Sequence, residues 1–307
     1  MASSTYPYNP SKEIPPLDNK VILITGGTAG IGTEFILQFA KHNPARIYFT
    51  GRNETSAKKV ITSAKAINAN LDIHFLQCDF TSLKSVQAAA QKFASSNTRL
   101  DILMCNAGIM MTPPGTTADG YELQMGVNHI AHALLIKALL PLLQHTSTLP
   151  NTTTRIVLTS SLAATNPMGG IRFADLKTAQ DWGAMGPMMR YAQSKLANVL
   201  YAKQLAVHYP SITSVSIHPG IFKSGLWQVH RRIDRAVLQL TTFWRQVSVE
   251  DGAKNGLWCA TVGEGEVENG AFYEPVGRRG EESRFMRDEG LAGELWEWTE
   301  RELEAWG

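Results

Sequence analysis

The chain has 307 residues, a mass of 33.7 kDa and a formal net charge of +2, from 29 basic and 27 acidic side chains. With 44% hydrophobic and 18% charged residues it can bury a substantial core, which excludes intrinsic disorder. A charged fraction below the roughly 25% of ordinary soluble domains means that the chain rests against something apolar or encloses it.

Residues 1–19 are rich in proline, serine and polar groups, contain no apolar leader core, and predict a flexible arm. From Lys20 onward, apolar runs of strand length alternate with stretches of helical period. The runs are 21–25, 46–50, 73–77, 100–105, 155–159 and 214–218. Strands that are apolar throughout are buried on both faces. They predict an α/β fold, a Rossmann-type doubly wound parallel sheet with helices on both faces. No linker divides residues 20–307, so a single domain is expected, with substrate-side insertions at about 162–190 and 221–247. The stretch 133–143 is interrupted by Lys137 and Pro141 and is too short to cross a bilayer, so no transmembrane segment is expected. Three cysteines (Cys78, Cys105, Cys259) without C-x2-C spacing predict neither disulfides nor a zinc site, and point to a reduced cytoplasmic protein.

The first strand runs into Thr25-Gly26-Gly27-Thr28-Ala29-Gly30-Ile31-Gly32 and then a helical segment. Glycines here allow a tight strand-to-helix turn, close approach of backbone to a pyrophosphate and close packing of helix on sheet. The helix N-terminus adds free N–H groups and partial positive charge for the phosphates. The second strand ends Thr50-Gly51-Arg52-Asn53, with no acid to bond an adenosine ribose and a guanidinium able to pair with a 2′-phosphate. NADP(H) is the predicted cofactor, the alternative for Arg52 being an ordinary surface arginine.

The spacing Gly26-x3-Gly30-x-Gly32 resembles the T-G-x3-G-x-G motif of the short-chain dehydrogenase/reductase family, in the branch of retinol dehydrogenases and related reductases. The likeness extends over about residues 20–275. It implies cofactor contacts from Gly26, Thr28, Gly30, Ile31 and Gly32, from Asp79 at the adenine, and from Asn106-Ala107-Gly108 beneath the dinucleotide.

Tyr191-Ala-Gln-Ser-Lys195 places phenol and ammonium on one helix face. A free tyrosine titrates near 10, and a neighbouring ammonium, with the positive nicotinamide of an oxidised cofactor, is expected to favour its phenolate. Tyr8 and Lys12 share the spacing, but Pro10 between them argues against a helix that would align them. Tyr191 instead is expected to open an amphipathic helix through Leu196, Val199, Leu200 and Leu205. The resemblance further implies Ser161 as the residue that bonds the substrate oxygen, with Ser160 structural. It assigns Asn128 to hold a relay water, Lys195 also to bind ribose, and Pro219, Gly220 and Ser224 to contact the nicotinamide amide. His129 and His132 lie three apart without a carboxylate or thiolate partner, so they are expected to be core or surface histidines rather than metal ligands.

The insertion between Ser161 and Tyr191 carries Met168, Phe173, Trp182, Met185, Met188 and Met189, which either pack the core or form an adaptable apolar wall. A second amphipathic stretch, 221–247, could close over substrate, meet another subunit or touch a membrane. Ser248-Val-Glu-Asp251 predicts a helix cap, and residues 271–273 a last edge strand. Residues 264–304 carry a balance of −8, so the first 263 carry +10, spread out in a way that argues against nucleic acid and suits an anionic cofactor. All seven tryptophans lie between 182 and 306. These features together imply an NADPH-dependent reductase of a carbonyl on a bulky apolar substrate. The alternatives are reduction of an activated C=C bond and a non-catalytic NADP(H)-binding protein. By the same resemblance, a homodimer or homotetramer would form through the helices that start near His129 and Tyr191.

Overall fold

In the computed structural model, which describes residues 8–222 and 246–306, the apolar runs form the strands that their composition predicts. They are Val21–Ile24 (β1), Arg46–Gly51 (β2), Ile73–Gln77 (β3), Ile102–Cys105 (β4), Arg155–Thr159 (β5) and Thr213–Ile217 (β6). Ile221–Phe222 (β7) and Gln246–Val247 (β8) pair separately, in parallel. Phe272–Glu274 (β9) and Arg278–Arg279 (β10) complete an eight-stranded sheet in the order β3-β2-β1-β4-β5-β6-β9-β10. All its pairs are parallel except β9–β10. The segment expected to be the edge is therefore covered. The edge is β10, two exposed arginines that discourage pairing with another chain. The strand order reverses between β1 and β4, which opens a crevice at their C-terminal ends.

Two apolar cores lie on the sheet's opposite faces. One is covered by Gly30–Ala40 (α2), Glu54–Ile67 (α3) and Val249–Thr261 (α8). The other is covered by Leu83–Ser96 (α4), Ala131–Ser147 (α6), Gly186–His208 (α7) and Glu289–Glu302 (α9). A short Leu123–Met125 helix (α5) leads through a π-type turn, Gly126–Ile130, into α6. Ser248 caps α8 by accepting from the Asp251 N–H, as its spacing predicts.

Four further expectations are corrected. Residues 8–19 are not a free arm: Tyr8, Ile14 and Leu17 are buried in the α2 and α8 core, and the Leu17 N–H donates to His42 O at 2.8 Å. Three apolar side chains in a polar segment suffice to dock it. Pro10 does not break a helix there but opens one, Pro10–Glu13 (α1), because the first helical position needs no N–H partner. Pro141 also fails to interrupt α6; it faces solvent, where water can satisfy the carbonyl it leaves unpaired. The helical run 123–147 is consequently long and apolar enough to span a membrane, yet 72% of its most apolar window is buried inside the fold. Finally, α7 begins at Gly186, five residues before Tyr191, and it is buried on all sides from Arg190 to Ala202. It lies between the sheet and α9, so its pattern is not that of a surface helix.

Candidate active site

The turn after β1 is shaped by what glycine lacks. Gly26 has φ +67°, and a Cβ there would sit 2.9 Å from Ala107 Cα. A Cβ on Gly32 would collide with the Gly26 carbonyl oxygen and lie 2.8 Å from Asn106 Nδ2. Gly30, at φ +57°, starts α2 with open space before it. The helices α3, α4, α8 and α9 each have an Asn, Ser or Asp that caps the first turn. Helix α2 follows Ala29 and has no side-chain cap, so its first N–H groups are left for an anion. Ile31 is buried behind the turn, and Thr28 abuts Gly51, where a Cβ would come 2.8 Å from its hydroxyl.

Arg52 follows β2 with its side chain exposed and, among the described residues, carries no ion pair. Asp79 closes its own turn, Oδ1 accepting from both the N–H and the hydroxyl of Thr81 at 2.9 Å. The Asn106 and Ala107 N–H groups both donate to Thr25 Oγ1 at 2.8 Å, and Asn106 Nδ2 donates to Thr25 O at 3.0 Å. The glycine turn and the Asn106-Ala107-Gly108 segment thus form one floor across the crevice. An uncapped helix start, a backbone cradle without Cβ atoms and a free guanidinium at the second strand together fit a phosphorylated dinucleotide.

On the neighbouring rim β5 ends in Ser160 and Ser161. Ser160 donates to Lys195 O at 2.7 Å, the structural part expected of it. Ser161 caps the turn Leu162–Thr165, accepting from Ala163 N at 3.2 Å, and its hydroxyl favours the Tyr191 phenolate. Lys195 Nζ lies 5.6 Å from the Tyr191 ring centre and donates to Thr159 O at 2.9 Å. A Cβ on Gly108 would stand 3.5 Å from that ammonium, so this glycine lets the floor meet α7. Asn128 lies in the π-type turn. Its Oδ1 accepts from Ile109 N at 2.8 Å, and its Nδ2 donates to Ile109 O at 3.0 Å and Ser194 Oγ at 2.9 Å. Pro219 and Gly220 end β6 on the same rim; Ser224 lies outside the described residues, as does most of the 221–247 stretch.

Burial overrides the expected effect of Lys195 on Tyr191. Desolvation pushes the phenol up to about 12, and only the Ser161 hydroxyl pulls it down. The same burial lowers the Lys195 ammonium to about 7, so its charge is itself weakened. Between about 7 and the ordinary 10.5, the unfolded chain holds a proton that the folded chain lacks. Stability therefore rises with pH across that window, and the cost of burying the charge is full below it. Lys195→Met is expected to be more stable than wild type near pH 6, by about 3 kcal/mol after deducting the lost bond to Thr159. Turnover should disappear. Urea unfolding at about pH 6 and about pH 10 checks this, because the gap should shrink at the higher value.

Several residues escaped the sequence analysis. Arg190, beside Tyr191, forms a fully buried ion pair with Glu122 at 3.2 Å. Its guanidinium donates to Thr112 O and Gln180 O, both at 2.7 Å, while Glu122 N donates to Leu176 O. This pair fastens the 162–190 insertion and the 109–117 loop to α7. Ser194 was legible only as an unassigned letter within Y-x3-K. His129 and His132 are buried core histidines, as expected. His129 contacts Thr299 at 3.0 Å.

A parallel sheet that reverses its order above an uncapped glycine turn defines the class, a Rossmann-type dinucleotide-binding protein. Comparison with known proteins narrows it. A family model described as short chain dehydrogenase matches residues 20–173. The short-chain dehydrogenase/reductase drtF of Aspergillus calidoustus is 34% identical over 306 residues, covering 94% of this chain and 95% of that protein. Retinol dehydrogenase 11 of Homo sapiens is 32% identical over 283 residues, covering 92% and 85%. A solved structure described as the Pseudomonas aeruginosa RhlG/NADP active-site complex shares the fold, with TM-score 0.66 at 24% identity, covering 88% and 98%. The chain belongs to the short-chain dehydrogenase/reductase family, nicotinamide-dependent oxidoreductases, and within it resembles the retinol dehydrogenases.

Proposed function

We propose that this chain reduces a ketone or aldehyde on a bulky, apolar substrate to the alcohol, reversibly, with NADP(H). The observation that carries the reading is Lys195 Nζ 5.6 Å from the Tyr191 ring centre on one helix face, with Gly108 of the floor against that amine and the Ser161 hydroxyl favouring the phenolate. Gly26, Thr28, Gly30, Ile31, Gly32, Asp79, Asn106, Ala107, Gly108, Pro219, Gly220 and Ser224 would hold the dinucleotide, with Arg52 at its 2′-phosphate. When bound, the nicotinamide supplies hydride to the carbonyl carbon. Ser161 orients the carbonyl oxygen and shares its developing charge, while Tyr191 passes it a proton. Lys195 would hold ribose and replenish the phenol's proton, with Asn128 holding a relay water near it.

Leu162, Met168 and Met185 are exposed on the insertion that begins next to Ser161, which supports an apolar substrate, as does similarity to a protein named for retinol. Three buried free thiols support a reducing compartment, the cytoplasm. The homodimer or homotetramer expected through α6 and α7 is less well supported than a monomer, because α9 occupies that face. Trp296 stacks on Tyr201 at 5.3 Å, and Glu300 pairs with Lys137 at 2.8 Å. Light scattering should return the 33.7 kDa of one chain; twice that mass would refute the monomer.

The functional reading is tested by following NADPH consumption on hydrophobic ketones, retinals, steroids and quinones, with wild type and Tyr191→Phe in parallel. Identified alcohol products support it. Products saturated only at a C=C bond would assign the chain to enone reduction. NADPH binding without consumption of any carbonyl would leave the regulatory alternative.

A further inference from the structure

We infer that His132 is a positioning residue whose neutral imidazole, protonated at Nδ1, locks the dinucleotide floor to the turn that carries Asn128. The inference rests on the oxidoreductase reading above and deepens it. Its starting point is the hydroxyl of Thr25, which is fully buried. Thr25 Oγ1 accepts the Asn106 and Ala107 N–H groups, both at 2.8 Å, and so uses both of its lone pairs. Its proton must then point at an acceptor. Two are in range: His132 Nε2 at 2.9 Å and Met104 O at 3.3 Å.

The tautomer follows from counting. A proton on Nε2 would make it a third donor to an oxygen with two lone pairs. It would also leave a bare Nδ1 facing Asn128 O at 3.1 Å, acceptor against acceptor. With the proton on Nδ1 every group is satisfied: Thr25 donates to Nε2, and Nδ1–H donates to Asn128 O. A doubly protonated ring is disfavoured, because burial, together with the nearby Lys195 charge, pushes His132 down to about 3. The Phe80 ring packs 4.7 Å from it.

From Asn128 the network continues through Nδ2 to Ser194 Oγ at 2.9 Å, and from Ser194 to Tyr191 O at 2.8 Å. One unbroken run of hydrogen bonds therefore joins the N–H groups under the dinucleotide to the backbone of the catalytic tyrosine. Thr25, Asn128 and Ser194 are at 0% exposure and His132 at 1%, so water cannot replace a missing link. An apolar side chain could fill the same volume, but it would orphan the Thr25 hydroxyl on one side and Asn128 O on the other.

The two halves of the link are separable. His132→Asn retains a donor near Nδ1 and loses the acceptor for Thr25. His132→Gln retains the acceptor and loses the donor to Asn128. His132→Asn is expected to weaken NADPH binding, titrated by its fluorescence, about tenfold and to change kcat at saturating NADPH less than about threefold. His132→Gln should do the reverse. On the NADPH Kd, His132→Asn combined with Thr25→Val should bind no worse than Thr25→Val alone.

Equal losses in Kd and kcat from both His132 variants, or an additive cycle with Thr25→Val, would overturn the inference. Should the variants fail to fold, nitrogen NMR of wild type with labelled histidines reads the tautomer directly. A protonated Nδ1 and bare Nε2 between about pH 5 and 9 are expected, and a protonated Nε2 refutes the inference. The NMR result needs neither cofactor nor turnover. Failure of the reductase reading would show instead as a wild type that neither binds nor consumes NADPH.

Discussion

Tyr191→Phe is expected to bind NADPH within about threefold of wild type and to turn over about a thousandfold more slowly, since a positioned proton donor contributes roughly two to four powers of ten. The ring is buried in α7, and phenylalanine keeps its volume, so the change removes one hydroxyl and little else. The dinucleotide cradle, built from β1, β4 and the start of α2, is untouched. The barrier rises because the carbonyl oxygen gains negative charge with no acid beside it. Ser161 alone can offer a hydrogen bond but holds its proton far too tightly to release it near neutrality. A thousandfold loss corresponds to about 4 kcal/mol. Single-turnover decay of NADPH absorbance measures it without interference from product release. Turnover within about tenfold of wild type would remove Tyr191 from the chemistry.

Arg52→Asp is expected to lower kcat/KM with NADPH by about a hundredfold or more and to leave that with NADH unchanged or raised. A guanidinium–phosphate contact is worth about 1.5–3 kcal/mol. An acid in its place adds repulsion of about 1 kcal/mol at contact distance in water, and it can bond the ribose hydroxyls of NADH. Arg52 is exposed and holds no ion pair among the described residues, so stability should move less than about 0.5 kcal/mol. Steady-state kinetics with both cofactors decide the matter. Equal loss with NADH and NADPH would make Arg52 a general surface charge and undo the NADP(H) assignment.

The parts of this site that were legible in the sequence are local. Gly26, Gly30 and Gly32 sit within one turn, and Tyr191 and Lys195 within one helical turn, so their spacing alone carries their geometry. Strands β1 to β6 were legible to within two residues: β1, β4 and β5 are buried at every position, and even the edge strand β3 keeps Ile73 and Leu76 buried. The docked segment 8–19 was not, since three apolar residues in a polar stretch have no period. The burial of α7 was hidden for another reason: Ser194 and Asn198 look like a solvent face until Asn128 and Thr159 are brought against them.

Electrostatics divided in the same way. The helical spacing of Tyr191 and Lys195 correctly put phenol and ammonium together, yet in the protein alone the phenol is raised, where the ammonium with an oxidised nicotinamide is expected to lower it. Spacing reports proximity and says nothing of burial, which raises the phenol and neutralises the ammonium together. Sequence by itself determined the doubly wound sheet, the glycine turn and the order of Ser161, Tyr191 and Lys195, because each is encoded in a short run of residues. Tertiary structure alone decided that Thr25 meets His132, 107 positions away, and that His129 meets Thr299, 170 positions away. Those contacts satisfy buried polar groups, a demand that arises only once packing has excluded water.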